Sequence, residues 1–159
     1  MTDEHDRNMA AYSLARRLLK GGLLAEAEIV TRLVDAWAVD RSECLAELGA
    51  GFWNRGERER GLALLDEALA VARTAEHELG VADGLTTAAG VLVGLGLTDR
   101  ARPALREASA LGLHVHESEN TQDAVDGAKV LRQIAALLGR IGDAEEAARV
   151  DRAARYPRR

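Results

Sequence analysis

His114 and His116 stand one residue apart in the stretch GLHVHESEN, with Glu117 and Glu119 close behind, and imidazole plus carboxylate is a donor set that can ligate zinc. A metal centre needs three or four converging ligands held by outer partners, and neighbours in one loop do not converge without distant help. A polar connection between helices is therefore preferred, and a metal-dependent sensor or enzyme at His114 and His116 is the weaker alternative. Glu76, His77 and Glu78 form a second cluster, but consecutive residues on a helix point in different directions and cannot face one substrate together. Cys44 has Glu43 beside it, and a carboxylate raises a thiol pKa, so a half-buried structural cysteine is expected rather than a nucleophile. No GxSxG, Walker, Rossmann or HExxH pattern occurs. The chain accordingly reads as a non-enzyme with no catalytic residue, no metal site and no cofactor.

Arginine outnumbers lysine 19 to 2, which raises the capacity for bidentate recognition of carboxylate or phosphate. Arg55, Arg58 and Arg60 cluster in one stretch and Arg152, Arg155, Arg158 and Arg159 in another, yet Glu57, Glu59 and Asp151 dilute both, as on a solvated helix face. A net charge of -5 argues against a protein that grips nucleic acid or an anionic membrane through an overall positive field. A single cysteine closes no intramolecular bridge, the amino end MTDEHDRNMA lacks the pattern of a secretory signal, and no later run reaches membrane-spanning length. A cytoplasmic protein of one domain, spanning 1–159, is expected.

The elements that must position these side chains are helices. The chain is 47% hydrophobic but only 3% aromatic, so its core must come from Ala, Leu and Val, a composition that favours helix over sheet. Four glycines set a register. Gly22, Gly56, Gly96 and Gly142 are each followed five residues on by a small residue (Ala27, Gly61, Ala101, Ala147) and preceded seven residues back by another (Ala15, Gly49, Ala89, Ala135). Such offsets suit a hairpin in which one helix runs to a glycine at positive φ and a second returns antiparallel, with small residues letting the backbones approach. Leu45, Leu48, Gly49 and Phe52 trace one helical face in the second unit, and Leu64, Leu65, Ala68 and Leu69 another on the return. Helices are predicted at 6–20, 23–38, 41–55, 57–73, 75–95, 98–111, 121–140 and 143–155. Gly112 to Asn120 is predicted as a loop, Pro103 near a first turn, and Asp40 with Glu43 and Asp143 with Glu146 as capping boxes.

These residues resemble the tetratricopeptide repeats, whose pattern is a leucine-glycine pair, an aromatic, a turn glycine and two alanines. The second unit, LGAGFWNRGERERGLALLDEALAVA, carries Leu48, Gly49, Phe52, Gly56, Leu65 and Ala68 in that pattern, with Gly61 where alanine is usual. The fourth, LGRIGDAEEAARVDRAA, keeps the turn and its alanines; the first and third keep the glycine and small residues without the aromatic. Glycine spacings of 34, 40 and 46 residues depart from the standard repeat length and look like the extended repeats of bacterial regulatory proteins. The resemblance implies an all-α, right-handed solenoid of about four hairpins, over roughly 9–39, 41–74, 75–112 and 121–156.

It also implies a function: a protein- or peptide-binding adaptor or regulatory scaffold whose first helices line a groove. Carried onto this sequence, the groove face is Tyr12, Arg16 and Lys20; Ala46, Ala50, Trp53 and Asn54; Thr86, Gly90 and Gly94; and Arg132, Ala136 and Arg140. Trp53 would anchor the ligand, and Arg16, Arg132 and Arg140 would hold carboxylates of an acidic or C-terminal segment. A self-associating structural module, using apolar ends that no polar helix caps, is the alternative.

Overall fold

The computed structural model describes residues 2–34, 37–118 and 120–155. Glu119, Pro157, Arg158 and Arg159 lie outside the described residues, as do Asp35 and Ala36 within the helix predicted at 23–38. The described residues form eight helices and no strand, and the chain divides into two compact units, 1–75 and 76–159. The first unit holds α1 (Thr2–Lys20), α2 (Leu24–Thr31), α3 (Ala38–Asn54) and α4 (Arg58–Ala72). The second holds α5 (Glu78–Gly94), α6 (Thr98–His116), α7 (Thr121–Arg140) and α8 (Ala144–Arg155).

The four predicted turn glycines are the glycines at positive φ, with 72° at Gly22, 89° at Gly56, 75° at Gly96 and 80° at Gly142. At each, the glycine N–H bonds the carbonyl three residues back and the next N–H bonds the carbonyl five back, as in Leu23 to Leu18 and Glu57 to Phe52, both 3.0 Å. This Schellman closure satisfies carbonyls that a helix end leaves unpaired, and it requires a left-handed residue that glycine supplies without steric cost.

Each turn returns the chain onto itself, so α1 packs on α2, α3 on α4, α5 on α6 and α7 on α8. Within the first unit α3 also packs on both helices of the preceding hairpin, and α7 does the same in the second. Ala15, Ala27, Leu45, Leu48, Phe52, Leu65 and Ala68 fill the first core; Leu85, Leu92, Leu105, Leu131, Ile134 and Leu138 fill the second. Backbones touch where side chains are absent. A Cβ on Gly61 would lie 2.7 Å from the Gly49 carbonyl oxygen, and one on Gly127 would lie 2.7 Å from the His116 nitrogen.

Several local expectations are corrected. The predicted loop 112–120 is helical through His116, because Gly112 and Val115 are buried where α6 crosses α7 and that packing outweighs glycine's weak helix propensity. In α2, helix stops at Thr31, whose hydroxyl donates to the Ala27 carbonyl at 2.8 Å, and α3 begins at Ala38 instead of near 41. Asp40 therefore falls in the first turn of α3, whose N-cap position is Trp37. A side chain that does cap is Asn120, whose Oδ1 accepts from Gln122 N at 3.0 Å. Pro103 sits one turn further into α6 than its first turn, on the exposed side.

Candidate functional site

In the first unit the candidate residues lie on α1 and α3, and the two helices are laced together across them. The Tyr12 hydroxyl donates to Glu43 Oε2 at 2.8 Å, while the Arg16 guanidinium donates to Glu43 and, at 2.6 Å, to Glu47. Residues four apart share a helix face, so Tyr12 with Arg16 and Glu43 with Glu47 meet as two rungs. Burial, and then Glu43, push the Tyr12 phenol far above its ordinary pKa. Burial also holds the Glu47 carboxyl above its ordinary range against the pull of Arg16. Cys44 is fully buried beside them, its thiol pushed up to about 12 by burial first and Glu43 second, which leaves an inert structural cysteine.

Arg16 thus spends its charge inside the unit. Lys20 and Asn54 are exposed, whereas Ala46 is fully buried and presents no surface to a ligand. The reason is tertiary: α3 packs on α1, α2 and α4 at once, so its buried arc is wider than a single hairpin would require. Ala50 and Trp53 are half-buried, and the Arg58 guanidinium lies over the Trp53 ring at 5.1 Å.

The second unit differs. Thr86 is buried, with its hydroxyl donating to the Ala82 carbonyl at 2.6 Å, so it serves α5 rather than a ligand. Gly90 is half-buried, and a methyl group there would find its nearest neighbour in Leu137 of α7 at 3.7 Å; Gly94 is exposed with nothing within 4 Å. On α7, Lys129, Arg132, Ala136 and Arg140 are all exposed and follow one another by three, four and four residues, which makes one stripe. Neither Lys129, Arg132 nor Arg140 makes an ion pair among the described residues. At the start of the stripe Lys129, Asp126 and Asp83 line a recess of about 300 Å³ between α5 and α7. Lys129 is a member that the repeat pattern does not mark, although its place three residues before Arg132 is the available signal.

His114 and His116 do not converge, whereas Glu76, His77 and Glu78, expected to point apart, line one recess together with His114. His114 is exposed and pairs with Glu78 of α5, which by hydrogen bond first and charge second raises its pKa. His116 is buried in the α6–α7 crossing with Nδ1 2.7 Å from the Ala124 carbonyl oxygen. Two residues apart on a helix means about 200° around it, so the HVH pair is split between solvent and core. No group of three or more His, Cys, Asp or Glu among the described residues is placed to hold a metal ion. No described helix is long and apolar enough to cross a membrane. No protein-family model matches the chain, and no curated protein matches it.

Proposed function

We propose that this chain is a tetratricopeptide-like repeat protein, its four hairpins stacked as a right-handed solenoid, that acts without catalysis as an adaptor or regulatory scaffold. It captures a protein or peptide segment rich in carboxylates, from acidic side chains or a chain terminus, along the exposed faces of its first helices. The repeat reading is supported by one turn geometry used four times at the register glycines, and by the way α3 and α7 each pack on both helices of the hairpin before them.

The observation that carries the binding reading is the exposed stripe of Lys129, Arg132 and Arg140 on α7, the helix whose Leu137 lies nearest to Gly90 of α5. In the first unit the corresponding arginine is neutralised by Glu43 and Glu47; in the second the cations form no ion pair among the described residues. Lys129 shares its recess with Asp83 and Asp126, so the attraction for an incoming carboxylate rests mainly on Arg132 and Arg140, whose guanidinium groups can grip one bidentately. Gly94, with nothing within 4 Å, leaves room for a ligand backbone to lie close to α5. Trp53, Ala50, Asn54 and Lys20 supply the exposed and half-exposed surface of the first unit, with Trp53 as the apolar anchor.

The test is fluorescence anisotropy with two labelled peptides of equal length, one alternating Glu and Ala with a free carboxylate terminus, the other alternating Lys and Ala. The acidic peptide is expected to bind and the basic one not, and Arg132→Ala with Arg140→Ala is expected to weaken binding by about tenfold or more, a loss of roughly 1.4 kcal/mol. Equal binding of both peptides, or indifference to the two substitutions, defeats the reading.

A further inference from the structure

On α7 the exposed cations Arg132 and Arg140 stand eight residues apart, with exposed Ala136 midway between them. Eight residues of helix advance about 12 Å along the axis and about 80° around it, a slant that two long arginine side chains absorb. Neither arginine makes an ion pair among the described residues. Acids gather instead at the amino end of the helix: Asp83 and Asp126 line one recess with Lys129, and Glu78, Glu117 and Asp123 line another. An acidic ligand is therefore repelled from the start of α7 and drawn to the stretch from Arg132 to Arg140. The exposed residues of that stretch are Arg132, Gln133, Ala136, Gly139 and Arg140, none of them large and apolar. A ligand helix docks by laying an apolar face into a hydrophobic groove, which these residues do not form.

We propose that the segment captured on α7 is extended and carries two carboxylates four residues apart, one held by Arg132 and the other by Arg140, with the residue midway between them lying over Ala136. The inference rests on the proposed capture of carboxylate-rich segments and gives that capture a register. In an extended chain the side chains of one side recur at every second residue, about 6.6 Å apart, so positions i and i+4 present carboxylates about 13 Å apart. That separation matches the two arginines, and each guanidinium can then grip its own carboxylate bidentately. Carboxylates two residues apart reach only one arginine at a time, because the place between the two cations is held by Ala136. Carboxylates six residues apart stand about 20 Å apart and overshoot the pair.

Fluorescence anisotropy on the full chain tests this with labelled peptides that have blocked ends and two glutamates in an otherwise Ser and Ala sequence, so that charge stays constant and only the spacing of the glutamates changes, from two residues to eight. A spacing of four is expected to bind most tightly, by about threefold over two or six, the size of one exposed ion pair. On the protein, Ala136→Arg combined with Arg140→Ala brings the second cation to about 6 Å along the helix from Arg132, so the preferred spacing should fall from four to two. Both positions are exposed, and a changed preference is an outcome that loss of folding does not imitate. Failure of the four-spaced peptide to bind overturns the proposal, as does affinity independent of spacing, a preference for seven or eight as for a ligand helix lying along α7, or a preference that stays at four in the double variant. The broader capture reading survives any of these if the alternating Glu and Ala peptide still binds and loses affinity in Arg132→Ala with Arg140→Ala; if that peptide does not bind, both readings fall.

Discussion

At Gly61 a methyl group would stand 2.7 Å from the Gly49 carbonyl oxygen and 2.8 Å from the Trp53 nitrogen, and neither backbone atom can move aside as a side chain would. Gly61→Ala should therefore cost about 1–3 kcal/mol in urea unfolding, the range for forcing extra volume into a packed contact. Gly94 is the opposite case, helical and with no atom within 4 Å, so Gly94→Ala should stabilise the fold by about 0.5–1 kcal/mol. If that gain arrives with weaker peptide binding, the glycine serves the ligand. At His114 the expectation concerns protons. Its pKa is raised by Glu78, so the pair contributes fully below the unfolded value near 6.5 and the contribution fades as pH climbs through the raised folded value. The ring is exposed and solvent-screened, so the effect on stability is small and the direct measurement is an NMR titration. The His114 midpoint should lie above 6.5 and fall towards it in Glu78→Gln; unchanged midpoints would remove the pairing.

The elements differ in how far their own residues define them. Hairpin reversals were legible because a left-handed turn between helices selects glycine, and the four glycines in register are the four at positive φ. The last turn of α6 was not legible. Gly112 reads as a breaker until Gly127 is seen against it, when the same absence of a side chain becomes what lets α6 and α7 cross. Entry into α7 is set by Asn120, whose side chain accepts from the amides of Gln122 and Asp123. Asn120→Ala should cost about 1 kcal/mol and speed hydrogen exchange at the α7 amino end more than elsewhere. Uniform acceleration across α5 to α8 would mean that the cap supports the unit as a whole and not one helix end.

For the whole molecule, the proposed capture makes a forecast for salt. The α7 stripe works through charge, so added salt should weaken capture of the acidic peptide. Anisotropy in a salt series checks this, and binding that persists unchanged at high salt would count against the charge reading. Trp53→Ala should reduce capture with helical content retained, because its ring is only half-buried and lies under Arg58. Unfolding of that variant would make Trp53 a packing residue. The proposed groove face was legible only as spacing on α1, α3, α5 and α7. What spacing could not tell was occupancy, since whether a cation is free depends on which acids the neighbouring helix brings to it.

The order of residues was enough to specify helices, their four reversals and the small-residue seams between them, because each depends on local backbone sterics or on a period visible along the chain. Tertiary structure alone decided that Arg16 is consumed by Glu43 and Glu47, that Ala46 and Thr86 are interior, and that Lys129, Arg132 and Arg140 form no ion pair among the described residues. Those are properties of neighbours distant in the chain, and charge and burial have no value until the neighbours are in place.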